Sequence, residues 1–238
     1  SLKYFHDLFI KILIFFIDNV FFLGKGELEK AKKLHRKDEK LIHFPFCVDT
    51  NFWLSNEENK FLDNKNILFV GNDGNRNFNL LVNIAEKMNK YNFIFVSNNE
   101  IVLNTKLKNV KVINGSWDSR EIEDSDLREI YKSSRLSIIP LKESSQPSGQ
   151  SVALQSMSLG IPVIISKTKG FWDNDVFIDN QDLILVSENS TEGWINKIEE
   201  NFHEDKKLKL LVKNSKEKIK EQFNLEVFNK NLDKYIKV

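Results

Sequence analysis

A single cysteine, Cys47, is all the sulfhydryl that this 238-residue chain carries. That excludes an intrachain disulfide and leaves no thiolate cluster for a metal, in keeping with a reducing compartment. Four prolines and nine glycines are too few for a Pro-rich or Gly-rich linker protein, so each reads as punctuation at a particular turn. Charge of one sign is lacking as well. Lys and Arg number 35 against 34 Asp and Glu, a net charge of +1, so no overall field draws the chain to nucleic acid. Lysines do gather in Lys30 to Lys40 and Lys206 to Lys220, but interspersed acids make these solvated helix faces. The four histidines, His6, His35, His43 and His203, show no metal-ligand spacing, and no metal is expected. Glu27 and Glu29, near an expected hinge, read as surface carboxylates or as a lining of a cleft between domains.

An uninterrupted apolar run of membrane-spanning length is also missing. The opening segment, LKYFHDLFIKILIFFIDNVFFLG, comes nearest, but Lys3, His6, Asp7, Lys11 and Asp18 break it. It has neither the basic start nor the small-residue cleavage site of a secretory signal. The spacing predicts a helix over Leu2 to Ile17, then a short strand over Asn19 to Leu23. Leu2, Phe5, Phe9, Ile12 and Phe16 form one stripe, while Ile10, Ile14, Phe15 and Ile17 are apolar off it. A helix apolar on so many sides wants partners on more than one face, which implies a covering domain only partly present. Peripheral contact with a membrane is the second reading.

What is present is the composition of a globular protein, 41% hydrophobic and 29% charged. A polar helix over Glu27 to His35 and a strand over Leu41 to Phe44 lead to a low-hydrophobicity stretch, Leu54 to Asn64, which reads as an interdomain linker. From there strands and helices alternate. The strands are expected at Asn66–Gly71, Asn92–Ser97, Val110–Ile113, Leu136–Pro140, Ile161–Ile165 and Leu183–Val186. The first of these, NILFVG, is a continuous apolar run ending in glycine, as in a buried parallel strand. Between them helices are expected over Phe78–Met88, Ser125–Ser134 and the stretch after Ser148. Helices over Thr191–Phe202, Asp205–Phe223 and Leu225–Ile236 close the chain. This order argues for an α/β fold with a doubly wound parallel sheet covered on both faces. The expected division is a remnant of a second domain over residues 1–52, a Rossmann-like domain over 53–222, and a terminal helix over 223–238 packing back toward the start.

Ligands in such sheets gather at the carboxyl ends of the strands, where two loops carry useful chemistry. In Gly71-Asn72-Asp73-Gly74-Asn75-Arg76 the glycines allow close backbone approach, and Arg76 can offer two parallel donors to a phosphate. The loop matches neither G-x-G-x-x-G nor the P-loop. The second stretch is Pro140 to Ser166. Pro147 stops regular structure, Ser148 is placed to cap the next helix, and Ser148, Ser151, Gln155 and Ser158 fall on one helical face. Bare N–H groups at the helix start suit an anion with a polar body attached. An ordinary crossover helix with serines facing water is the alternative.

Four stretches together resemble the second half of a retaining glycosyltransferase of the GT-B fold, family-4 type. They are DNVFFLGKGELE (Asp18 to Glu29), FPFCVDTNFW (Phe44 to Trp53), VGNDGNR (Val70 to Arg76) and PSGQSVALQSMSLGIPVI (Pro147 to Ile164). The last is similar to the family's E-x7-E-A-M-a-x-G-x-P-V-I signature. The resemblance implies a nucleotide-diphosphate sugar as donor, a carbohydrate or lipid-linked acceptor, no cofactor, and a cytoplasmic place, with the inner membrane face as an added contact. It puts the donor at Gly71, Asn72, Arg76, Ser148, Gly149, Gln150, Ser151 and Gln155. Arg76 and the amides of Gly149 to Ser151 would hold the diphosphate, and Gln155 would hold the ribose hydroxyls in place of a glutamate. Asn72 stands where the family has an arginine. Pro147 stands where it has the first glutamate, leaving Glu143 as the nearest carboxylate for a catalytic role. Trp117 and Asp118 fall where the chain would pass near the base, with Trp117 read as a half-buried packing residue before a stacking one. A sugar-nucleotide epimerase or a non-catalytic nucleotide-binding scaffold would share the fold.

Overall fold

A computed structural model describes residues 8–10, 12–13, 15–35, 39–57, 60–115 and 121–236. Leu2, Phe5, Ile14, Trp117 and Asp118 lie outside them. Residues 8–10, 12–13 and 15–16 are helical, and all their apolar side chains but the half-buried Ile10 are exposed, Phe15 and Phe16 each at 77%. Among the described residues no helix is long and apolar enough to cross a membrane.

Strand β1 (Val20–Phe22), helix α1 (Lys25–His35) and strand β2 (Leu41–His43) form a small unit in which β1 and β2 pair in parallel. Phe44 joins it to the chain's far end, packing on Phe228 at 4.9 Å and on Tyr235 at 6.4 Å between ring centroids. Helix α2 (Thr50–Trp53) follows, capped by Asp49, whose carboxylate accepts from the Asn51 N–H.

The stretch expected as a linker is anchored to the main body at its far end. A 3-10 turn at Lys60–Asp63 sinks Phe61 to 1% exposure, and the Asn64 amide donates to the Lys132 carbonyl at 2.7 Å. Low average hydrophobicity hid one large anchor in a polar stretch.

The main body alternates strand and helix: β3 (Asn66–Val70), α3 (Phe78–Lys87), β4 (Asn92–Val96), α4 (Glu100–Leu103), β5 (Val110–Ile113), α5 (Asp124–Lys132), β6 (Ser134–Ile139), α6 (Gln150–Ser158), β7 (Val163–Ser166) and β8 (Ile184–Val186). Helices α7 (Thr191–Phe202), α8 (Asp205–Gln222) and α9 (Leu225–Leu232) close the chain. The six strands stand in the order β5-β4-β3-β6-β7-β8, every neighbouring pair parallel. Apolar runs such as Ile67-Leu68-Phe69 are fully buried because helices cover both faces. The chain winds outward one way from β3, then returns and winds the other way from β6. The switch point, where sheets of this kind place their ligand crevice, therefore lies at the carboxyl ends of β3 and β6.

Strand β6 starts two residues earlier than its apolar pattern, at Ser134 and Arg135. Both are buried because their polar groups have partners. The Ser134 hydroxyl donates to the Ile130 carbonyl at 2.8 Å, and Arg135 donates to the Phe202 carbonyl at 2.6 Å.

Candidate functional site

Arg76 lies at the crevice between β3 and β6. Its backbone bridges Leu141, the Asn77 N–H donates to the Pro140 carbonyl, and the Lys142 N–H donates to the Asn75 carbonyl. The loop after β3 is thus sewn to the loop after β6. Leu141 is itself fixed, its N–H donating to the Ser166 hydroxyl at 2.9 Å and its carbonyl accepting from Asn189 at 2.7 Å.

The Arg76 side chain is 3% exposed and lies across two glycines. A Cβ on Gly71 would stand 2.3 Å from Arg76 Nε, and one on Gly149 would stand 2.7 Å from Nη1. Only residues without a side chain leave the guanidinium this channel. Its partners are few. Nη1 donates to the Ser148 hydroxyl at a long 3.4 Å, and Nε stands 3.2 Å from Asp73 Oδ2 without hydrogen-bond alignment. Burial pulls its proton affinity below the usual arginine range, with the Asp73 carboxylate and then Tyr131 opposing. A guanidinium stays charged in proteins, so this is a buried cation with most of its donors unspent.

Helix α6 begins beside it. Its N-cap is Gly149, in the left-handed conformation at φ 78°, with no side-chain cap. The expectation that Ser148 caps this helix is therefore corrected: its hydroxyl donates to Asp73 Oδ1 at 2.9 Å. The first amide to bond back along the helix is that of Ala153, to the Gly149 carbonyl at 2.9 Å. The N–H groups of Gln150, Ser151 and Val152 thus stand at an uncapped helix start, a partial positive charge of about half a unit. Together with Arg76 they bring one cation and one helix terminus side by side, an arrangement that can hold an anion.

The remaining expected residues are placed differently. Helix α6 is not polar on one face and apolar on the other. Gln150, Gln155, Ser156 and Ser158 are all buried, and Ser151 alone keeps partial exposure. The reason is that α6 is packed between β6 and β7 on one side and α2 and α8 on others, so its small polar groups sit inside. The Gln155 amide oxygen accepts from the Tyr131 hydroxyl at 3.2 Å, so the residue expected at the ribose already has that oxygen engaged. Burial raises the Tyr131 phenol well above its ordinary value, against the pull of Arg76. The Gln150 side chain donates to the Leu23 carbonyl at 2.8 Å, which ties the helix start to the end of β1.

Asn72 spends its amide inside the protein. It donates to the Gly115 carbonyl at 2.7 Å and accepts from the Ser97 hydroxyl at 2.9 Å and the Asn98 N–H at 2.8 Å. It is a clasp joining the loops after β3, β4 and β5. Glu143 accepts from the Lys169 N–H at 3.0 Å and so holds two loops together. Pro147 lies against Gly24, where an added Cβ would meet its ring at 3.1 Å. Glu27 turns back on its own helix start, accepting from the Leu23 and Gly24 N–H groups.

Sequence reasoning passed over Asp73, whose position three residues before Arg76 in a turn was the available signal. It also passed over a pair on the seam between the small unit and the main body. His43 Nε2 stands 3.6 Å from Asp173 Oδ1, and His43 Nε2, Asp173 Oδ2 and Trp172 Nε1 are buried without hydrogen-bond partners. Among the described residues no group of three His, Cys, Asp or Glu side chains is placed to hold a metal ion.

Comparison with known proteins agrees with this architecture. A glycosyltransferase from Rickettsia africae superposes with a TM-score of 0.73 at 17% identity, over 92% of this chain and 62% of that one. A sucrose-phosphate synthase from Thermosynechococcus elongatus gives 0.74 at 17% identity, over 91% and 57%. The Anabaena protein HepE, solved with UDP and glucose, gives 0.73 at 12% identity, over 91% and 62%. The chain thus spans 57–62% of the length of these structures. No curated protein sequence matches it. The sequence model of the family described as glycosyl transferases group 1 matches residues 64–204, from the turn before β3 to the end of α7. The chain belongs to the group 1 glycosyltransferases.

Proposed function

We propose that this chain supplies the donor-binding half of a sugar transfer, holding a nucleoside-diphosphate sugar in the crevice between β3 and β6. The observation that carries this is Arg76: a buried guanidinium with unspent donors, beside an uncapped helix start. A diphosphate would satisfy both at once, and HepE, of like fold, was solved with UDP. In the reaction the negative charge that grows on the leaving diphosphate falls on Arg76 and the amides of Gln150, Ser151 and Val152. Fixed donors aimed at developing charge lower the barrier without reorganising. These groups can take up the charge that a divalent cation takes up elsewhere, so a metal-independent transfer is the reading they favour. Retention of anomeric configuration belongs to the same proposal and rests on the resemblance of the Pro147 to Ile164 stretch.

Isothermal titration with UDP, GDP and ADP tests it. One of them binds, and Arg76→Ala weakens binding by about 1.5–3 kcal/mol, the worth of charged hydrogen bonds. Failure of all three to bind either the intact chain or a variant relieved of the Asp73 charge would end the donor reading.

A further inference from the structure

We propose that Asp73 is a resident anion of this site, its carboxylate occupying the side of Arg76 that a donor diphosphate takes and turning out to solvent when the donor arrives. The inference rests on the donor reading above.

Asp73 makes the contacts that a phosphate oxygen would seek there. Its Oδ2 stands 3.2 Å from Arg76 Nε, and its Oδ1 accepts from the Ser148 hydroxyl at 2.9 Å and from the Asn75 N–H at 3.0 Å. It spans from the loop after β3 to the residue just before the α6 N-cap, the same gap a diphosphate would bridge. The two partners differ in freedom. Arg76 is enclosed, with Gly71 and Gly149 beneath it and 3% of its side chain exposed, whereas 47% of the Asp73 side chain meets solvent. The cation is held in place, and the anion has a path out.

The turn that carries Asp73 is itself anchored. Lys142 Nζ donates to the Gly74 carbonyl at 3.0 Å, and the Lys142 N–H donates to the Asn75 carbonyl at 2.8 Å. Displacement therefore needs only a side-chain rotation, with the backbone left in place. A buried cation without a counter-charge is costly, so an internal carboxylate stabilises the empty site. The same carboxylate sits beside an arriving diphosphate as a like charge and opposes it. An incoming anion must outcompete an intramolecular one, which sets a threshold on what the site accepts.

The alternative is that Asp73 only orients Arg76, and the sign of one substitution separates the two. Titrations with UDP, GDP and ADP are run on the unmodified chain, Asp73→Asn and Arg76→Ala. Asparagine keeps an acceptor for Ser148 and Asn75 while removing the charge. As a resident anion, Asp73→Asn binds the preferred nucleotide about tenfold tighter, and Arg76→Ala binds it more weakly. Binding by Asp73→Asn alone is the extreme form of that result. Equal or weaker binding by Asp73→Asn, with Arg76→Ala still weakened, overturns the inference and leaves the donor reading standing. No binding by either the unmodified chain or Asp73→Asn removes the donor reading and the inference together. Should Asp73→Asn lower the melting temperature, Asp73→Ser, which also supports such a turn, is judged by the same outcomes.

Discussion

Arg135 enters β6 at its amino edge, and Arg76 lies where the carboxyl ends of β3 and β6 part. Both side chains are buried, at 5% and 3% exposure. Arg135 is engaged at every nitrogen: Nε donates to the Phe202 carbonyl at 2.6 Å, Nη1 to the Leu62 carbonyl at 3.0 Å and Nη2 to Asp205 at 2.6 Å. Its plane also lies over the Phe202 ring at 5.0 Å. Arg76 has one long hydrogen bond and one misaligned carboxylate. Burial alone does not say what a charged residue is for; the fraction of its donors already spent says more. A satisfied guanidinium is a rivet between elements. An unsatisfied one beside a helix start is the feature on which the proposed donor role rests.

The sharpest way to break this comparison is a matched pair of substitutions. Arg135→Met leaves two buried carbonyls without donors and is expected to cost about 3 kcal/mol in denaturant unfolding. Nucleotide affinity should not move, since the change is at the far edge of the sheet. Arg76→Met should do the reverse. Affinity falls by about 2 kcal/mol, while stability holds or rises, because methionine fills similar space without a poorly compensated charge. If Arg76→Met unfolds as readily as Arg135→Met and still binds nucleotide, the two arginines play one role and the contrast is false.

A smaller effect is expected from Gly149→Ala. The new Cβ would meet Arg76 Nη1 and Ile139 Cγ2 each at 2.7 Å, at a φ of 78° that side chains rarely adopt. A stability loss of about 1–2 kcal/mol follows, together with weaker nucleotide binding as the guanidinium is pushed aside. Unchanged affinity in a folded Gly149→Ala would mean that the helix start and Arg76 do not act on one ligand.

Much of the sheet was legible in the sequence because buried parallel strands read as continuous apolar runs. NILFV and VIIS could hardly be anything else. Where a strand carried a paired polar group the reading failed, as at Arg135, because hydrogen bonding to the distant Phe202 and Leu62 carbonyls has no local signature. Phe61 escaped for a related reason, a single anchor in a polar stretch. In the site, Arg76 and Gly149 were visible as a cation and a helix entry after parallel strands. The fate of Gln155, Asn72 and Glu143 was not. Their partners, Tyr131, Gly115 and Lys169, lie 24, 43 and 26 residues away, and helical periodicity cannot report a helix covered on several sides.

The seam between the small unit and the main body holds a third kind of buried charge, between the satisfied rivet and the unsatisfied cation. Burial pushes the Asp173 carboxyl up to about 6, against the pull of Lys25, and Asp175 adds to the rise. Burial also holds His43 below its ordinary value, with Lys25 adding to the effect and Asp175 opposing. The two act on stability with opposite signs. Asp173 binds its proton more readily folded than unfolded, so its contribution grows as pH falls through about 6 and is lost again as pH rises. His43 binds its proton less readily folded, so its contribution is lost as pH falls below the ordinary histidine value of 6.5. In the unmodified chain these offset, and stability should change by less than about 1 kcal/mol between roughly pH 7 and 5. Each substitution should unmask the other partner. Asp173→Asn leaves the histidine's effect, so that variant loses stability on acidification. His43→Asn leaves the carboxylate's effect, and that variant gains. Melting temperatures across this range decide it: slopes of the same sign in both variants would mean that the 3.6 Å pair does not govern the seam.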